Sequence, residues 1–339
     1  MKEWGGYLPF DSRGNEYFNK VINISEDCIF RVNAARYAIA YIVKCKSYKR
    51  VWIPYYICKT VFDVLKSQEI ECIPYNIDEQ LEPTVDKIFD DDVIIITNYF
   101  GVKENSFVAR MAEKYHNVIF DNTQSFYCLP IMRDGAFNIY SPRKFFGVSD
   151  GAYIISNERF DRCLINDIST SRLSFLFGAL ESGTNKYYRR YLLAEESITD
   201  VGIKGMSKTT KAILGNIDYE TIIEIRRHNF DILRNIIPEE LQLPYLRTSI
   251  KTDCMNCPMV FPMFVENDYL AFREYLIENK VYVSQWWKWV LEMDGINEIE
   301  RKLCTSLFPI PIDQRYNEDD MKNLAYIIMA FFEEKSVCN

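Results

Sequence analysis

From about Arg31 onward, apolar positions alternate between a helical and an extended period. Asn33 to Lys46 carries Ala35, Ala38, Ile39, Ile42 and Val43 at three- and four-residue spacing, which predicts a helix with Asn33 as its N-cap. Further helices are predicted over Lys59 to Ser67 and Asn105 to Tyr115. Short apolar runs lie between them: Val51-Trp52-Ile53-Pro54, Glu71 to Ile77, the β-branched run Val93 to Phe100, and Val118-Ile119-Phe120, which ends in Asp121. Strands separated by helices of about three turns need crossover connections, and a sheet so connected is mostly parallel and covered on both faces. The N-terminal half therefore reads as doubly wound α/β.

Two short strands, Phe137 to Tyr140 and Ala152 to Ile155, flank a loop from Ser141 to Gly151. A polar helical region from Asp161 to about Leu214 follows, and Tyr219 to Ile236 reads as a long helix stopped before Pro238. The remainder reads as a small α+β unit. It holds Val260 to Val265, a helix near Tyr269 to Asn279, Val281-Tyr282-Val283 and a last helix from Glu318 to Glu334. We place a large α/β domain over residues 1–215 and a small C-terminal domain over 216–339, a division that a chain of 339 residues accommodates.

Composition removes several function classes. Forty Lys plus Arg against 48 Asp plus Glu leave a net charge of −8 with no basic block, so nucleic acid is not expected as a partner. Leu324 to Phe332 is the longest uncharged apolar stretch and is too short to span a bilayer, while Met1-Lys2-Glu3-Trp4-Gly5-Gly6 has no signal-peptide core. A cytoplasmic protein is the expectation, and its ten cysteines read as reduced thiols. Cys254-Met255-Asn256-Cys257 is a single CxxC without a second pair and reads as two ordinary thiols. His116 and His228 are the only histidines, which excludes a His-rich zinc site; both read as surface or capping residues, and no metal is expected.

In an open parallel sheet, ligands bind beyond the carboxyl ends of the strands. Asp121 stands at such an end and opens Asp121-Asn122-Thr123-Gln124-Ser125. By itself, a carboxylate at a strand end is more often the N-cap of the next helix. Lys144, in Ser141-Pro142-Arg143-Lys144-Phe145-Phe146-Gly147, follows another short strand and has Tyr140, Phe145 and Phe146 as neighbours. An ammonium among aromatics is disfavoured by desolvation, and the neutral amine that results is the nucleophile of Schiff-base chemistry.

The helix start at Asn33-Ala34-Ala35-Arg36, then Asp121 with Gln124, then Ser141 and Lys144 with Asp150-Gly151 beyond, resembles the fold type I pyridoxal-phosphate (PLP) enzymes. More narrowly it resembles the DegT/DnrJ/StrS-type sugar aminotransferases. Asn98-Tyr99-Phe100-Gly101, Met206-Ser207 and Arg226-Arg227-His228-Asn229 extend the likeness over most of the chain, from about Gly5 to the final helix. The resemblance implies the aspartate aminotransferase-like fold, PLP as cofactor and a homodimer with sites at the interface. Lys144 would form the internal aldimine and shuttle the proton; Asp121 would bind the pyridine nitrogen and keep it protonated. Gln124 would meet the phenolic oxygen or the ring face, and Ser141 with the backbone of Ala34, Ala35 and Arg36 would take the phosphate. Tyr56 would cover the ring, with Tyr99 and Phe100 as rivals. The reaction implied is transfer of an amino group from an amino acid such as glutamate to a keto group of a nucleotide-linked sugar, in polysaccharide or secondary-metabolite assembly.

This sequence departs from that pattern in three places. Asn33-Ala34-Ala35 replaces the usual small Gly-Thr or Ser-Gly, the serine stands three residues before the lysine where about five is common, and Ile203 to Met206 lacks the asparagine that relatives lend to the partner subunit. A PLP lyase or dehydratase and a non-catalytic binding protein on the same fold are the alternatives, although sugar-dehydrating relatives typically carry histidine in place of the lysine. Arg143 reads equally as a phosphate ligand or a solvated residue. Asp90-Asp91-Asp92 reads as a solvated loop, and Trp286-Trp287-Lys288-Trp289 as packing with a substrate platform as the alternative. Tyr187-Tyr188-Arg189-Arg190 could reach a nucleotide diphosphate.

Overall fold

The computed structural model describes residues 10, 14, 16–160, 163–248 and 257–338. The N-terminal stretch Met1 to Gly6, Asp161, and Cys254 of the CxxC pair lie outside these residues.

Strands β1 (Ile29–Val32), β2 (Arg50–Pro54), β3 (Glu71–Tyr75), β4 (Val93–Thr97), β5 (Val118–Asp121), β6 (Ala136–Tyr140) and β7 (Ala152–Ile155) form one sheet in the order β1-β7-β6-β5-β4-β2-β3. The pairs from β3 through β6 are parallel, and β7 runs against both of its neighbours. After the short α1 (Tyr17–Lys20), helices α2 (Ala35–Lys46), α3 (Lys59–Ser67) and α4 (Asn105–Lys114) make the crossovers. The period-two geometry of a strand divides β4 between the two layers. Val93 and Ile95 pack with Ala38, Ile42 and Leu65 of α2 and α3. Ile94 and Ile96 face the opposite layer, with Phe107 and Met111 of α4. That is why the run is continuously apolar rather than alternating.

Beyond the sheet come α5 (Ser174–Ser182), α6 (Thr184–Thr199), α7 (Lys208–Leu214), α8 (Tyr219–Ile236) and α9 (Pro244–Thr248). A two-stranded antiparallel sheet of β8 (Val260–Phe264) and β9 (Leu307–Pro311) follows, with α10 (Tyr269–Glu278), α11 (Glu298–Ser306) and α12 (Glu318–Cys338) around it. Phe261, Phe272, Phe308 and Ile328 of this layer share one core with Ile96 and Phe120 of the large sheet.

Four local expectations need correction. Asn33 does not cap α2: Ala34 holds the cap position, while the Asn33 side chain donates to Gly202 O at 2.9 Å and accepts from Lys204 N at 3.2 Å. The extended run ends at Thr97, because Phe100 takes a left-handed backbone (φ 63°) and Tyr99–Gly101 forms a 3-10 turn. Val281 to Val283 has no strand partner among the described residues; β9, which starts just after α11, pairs with β8 instead. Asp92 is not solvated. It is buried and accepts from Arg50 Nε and Trp52 Nε1, each at 3.0 Å.

Candidate active site

The residues that follow the carboxyl ends of β1, β2, β5 and β6 border one cavity of about 210 Å³. Ala34, Ala35 and Arg36 enter it from the start of α2, and Ile57 and Cys58 from the loop after β2. Asp121 is the last residue of β5, with Thr123 and Gln124 just beyond; Ser141 and Lys144 follow β6. Seven of the eight residues singled out from the sequence are thus brought together.

The eighth, Tyr56, does not line this cavity. Its side chain is fully buried, its hydroxyl donates to Leu303 O at 3.5 Å and its ring packs edge-on against Trp287 at 4.6 Å. The rivals are committed elsewhere too. Tyr99 donates its hydroxyl to Tyr56 O at 2.6 Å, and Phe100 stacks on Trp286 at 5.8 Å.

Lys144 Nζ donates to Thr123 Oγ1 at 2.9 Å. The residue reaches solvent through the open cavity, yet protein atoms crowd its ammonium. Desolvation therefore lowers its pKa below the ordinary lysine range, with Arg143 adding in the same direction and the Asp121 carboxylate opposing. Asp121 is buried and accepts the Thr123 N–H through Oδ1 at 3.0 Å. The two-residue turn from Asp121 to Thr123 thus links carboxylate and lysine. Gln124 accepts the Phe100 N–H through Oε1 at 2.8 Å, so the polar group it can offer the cavity is its NH2 donor.

The start of α2 has the chemistry to accept an anion. Its cap residue is an alanine with extended backbone and no side chain caps the helix, so the first N–H groups of a twelve-residue helix meet the cavity directly. Ser141, buried, adds a hydroxyl. Arg143 is neither a free anion ligand nor a solvated residue: it pairs with Glu195 of α6, and burial followed by repulsion from Arg36 lowers its pKa to about 10.

The lysine loop is fastened at its far end. Asp150 accepts from Ser207 N at 2.8 Å and Ser207 Oγ at 2.7 Å, and Gly151 N donates to Asn33 O at 2.6 Å. Gly151 has φ +113°, and a Cβ there would meet Met206 and Thr210 at 3.1 Å, so only glycine fits. Closer to the lysine, Gln314 Nε2 donates to Phe145 O at 2.8 Å and its Oε1 accepts from Arg226 Nε at 3.0 Å, while the Arg226 guanidinium lies 4.8 Å from the Phe145 ring. Gln314→Ala breaks both hydrogen bonds of this bridge. Urea denaturation should show a loss of about 1–2 kcal/mol.

A second cavity of about 770 Å³ shares Arg143 and Lys144 with the first. Phe175, Tyr187, Tyr188 and Tyr191 of α5 and α6 form one wall, and Arg226 and Arg315 stand in the other. Of the tyrosine-arginine run marked in the sequence, Tyr187 and Tyr188 reach this cavity and Arg190 instead packs over the Tyr187 ring at 5.3 Å. Sequence reasoning missed Thr123, Cys58 and Glu195 as site residues. Thr123 stands inside the quoted Asp121 to Ser125 stretch, whereas nothing in the sequence links Glu195 to a loop fifty residues earlier. His228, as expected, is exposed, 3.2 Å from Glu318.

No protein-family model matches the chain, and no curated protein does. Solved structures do match: the chain has the fold of the PLP-dependent aminotransferases, a mostly parallel seven-stranded sheet wrapped by helices. A DegT/DnrJ/EryC1/StrS aminotransferase from Brucella abortus aligns with 93% of this chain and 88% of its own length at a TM-score of 0.63 and 12% identity. Spr1654 from Streptococcus pneumoniae, solved in a PLP form, aligns over 96% and 93% at a TM-score of 0.64 and 12% identity. The sugar aminotransferase CalS13 from Micromonospora echinospora aligns over 89% and 87% at 0.59 and 12%.

Proposed function

We propose that this chain is a PLP-dependent aminotransferase that takes an amino group from an amino acid, with glutamate as donor, and places it on a keto group of a nucleotide-linked sugar. It would work as a homodimer, with residues 1–215 as the cofactor-binding domain and 216–339 as the smaller one. The observation that carries the reading is the enclosure of Lys144, Asp121 and the uncapped start of α2 in one cavity. A cofactor with an aldehyde, a basic ring nitrogen and a phosphate needs an amine, a carboxylate and a cluster of N–H donors, and these residues fit all three demands.

When bound, PLP supplies an aldehyde for amine exchange and a ring that withdraws electrons. The protein's own part follows from its residues. Asp121 would hold a proton on the ring nitrogen by charge. Ala35 and Arg36 N–H groups with Ser141 Oγ would hold the phosphate. Lys144 Nζ, its pKa lowered by desolvation and its position set by Thr123 Oγ1, would move a proton between carbon atoms of donor and cofactor. The larger cavity, which Lys144 also lines, would receive the acceptor. Its tyrosines suit stacking on a planar or sugar ring, and its arginines suit an anionic group.

A single-turnover experiment tests this reading. Protein loaded with PLP and mixed with glutamate should release one equivalent of 2-oxoglutarate per site and then stop until a keto sugar nucleotide is added. Release of ammonia instead would reject transamination. Ala34→Asp probes the phosphate end separately. A carboxylate at the cap position should stabilise the fold by about 0.5–1 kcal/mol in thermal melts. It should also weaken PLP binding by about tenfold or more in absorbance titrations, because it repels the phosphate and competes for the same N–H groups.

A further inference from the structure

We propose that Trp287, carried by the C-terminal layer, is the residue that covers the ring of the bound cofactor, so that filling the cavity fastens this layer to the large sheet. The inference rests on the PLP reading above. Trp287 is the only aromatic among the described residues that line the 210 Å³ cavity, which it shares with Asp121, Gln124 and Lys144. A flat, protonated ring needs an apolar or aromatic wall, and an indole face is the strongest partner for a cation. The residues after β2 offer no aromatic wall, because Tyr56 is turned into the core and the positions beyond it are Ile57 and Cys58.

Trp287 is held for this place. Its backbone is left-handed (φ 54°, ψ 53°), a conformation that costs a bulky residue about 1–2 kcal/mol. The carbonyl of Trp287 accepts from Val290 N at 2.9 Å and from Cys304 Sγ at 3.5 Å. The indole stacks on Trp286 at 5.8 Å, and Trp286 in turn stacks on Phe100. Two residues on, Trp289 Nε1 donates to Ile57 O at 3.2 Å. The tryptophan segment therefore already grips the loop after β2, and a ring seated against Trp287 would add a contact between the same two parts of the chain.

The test compares wild type, Trp287→Phe and Trp287→Ala by titration with PLP, read both as visible absorbance and as quenching of tryptophan emission. Trp287→Ala is expected to raise the PLP dissociation constant about tenfold, while Trp287→Phe, which keeps a ring, stays within about threefold. Trp287→Phe should also remove the larger share of the emission quenching that PLP causes in wild type. The proposal is overturned if Trp287→Ala binds PLP within twofold of wild type, or if Trp287→Phe is quenched as strongly as wild type. Either result leaves the cofactor reading standing. Wild type that takes up no PLP overturns the cofactor reading, and this proposal with it. Trp287→Phe, a conservative change, keeps the outcome readable even if the alanine variant fails to fold.

Discussion

Lys144→Ala protein mixed with PLP is expected to stay without the visible band that wild type gains and then loses on addition of excess glutamate. The variant should transaminate at least about 10³-fold more slowly, because in the proposed function one amine serves both as the point of attachment and as the proton carrier. Desolvation by the surrounding protein atoms disfavours the Lys144 ammonium, so its pKa in the folded chain lies below the unfolded value. The unfolded chain then binds more protons across that interval, and stability rises with pH through it. An inactive variant with an undiminished thermal melt isolates the chemistry from folding. Wild type carries a matching pH signature. The rate of forming the visible band should be half-maximal at a pH below about 10.4, the ordinary lysine value, because the attacking amine loses its proton earlier than an exposed one. A band that forms equally in Lys144→Ala, or a midpoint in wild type at the ordinary lysine value, would contradict the assignment.

The sheet was legible because buried parallel strands and amphipathic helices leave different periods in the sequence; β5, β6, β7, α3 and α8 fall where the pattern places them. What escaped has physical causes. Strand β1 is half-buried at Phe30 and Arg31, so it lacks an apolar run. Strand β9 is Leu307-Phe308-Pro309-Ile310-Pro311, whose prolines disguise a strand that borders only β8. Asp92 looks like one of three solvated carboxylates, but its partners, Arg50 and Trp52, lie on a strand forty residues earlier. At the site, Asp121 and Lys144 were readable because each ends or closely follows an apolar strand. Tyr56 was misplaced for the complementary reason. Sequence position puts it at the right edge of the sheet, but which way its ring turns is settled by Trp287 and Leu303, more than two hundred residues away. The triple tryptophan was visible as a cluster, and only tertiary structure shows that one of its indoles reaches the cavity while the other two pack on Phe100 and Phe62.

Asp121→Asn separates the two tasks that the proposed function gives to a single carboxylate. The first is to hold a proton on a ring nitrogen; an amide cannot do so by charge, and turnover should fall by about 10²–10⁴-fold, the range that a positioned acid–base partner contributes. The second is its effect on Lys144, whose ammonium the Asp121 carboxylate favours against the larger effect of desolvation. Without that charge the pKa of Lys144 must fall further, so the pH midpoint for forming the visible band should move down rather than up. The variant is therefore expected to take up PLP at lower pH than wild type while turning over far more slowly. A variant that was merely misfolded would lose both, and one in which Asp121 lay outside the site would change neither. The amide oxygen that Asp121→Asn introduces can still accept the Thr123 N–H, so the turn that carries Thr123 Oγ1 to Lys144 keeps its anchor and the split between binding and turnover can be read without a collapsed loop. The measurement is a pair of pH profiles, one for band formation and one for single-turnover release of 2-oxoglutarate, and a midpoint that rises in Asp121→Asn would refute the electrostatic coupling of these two residues.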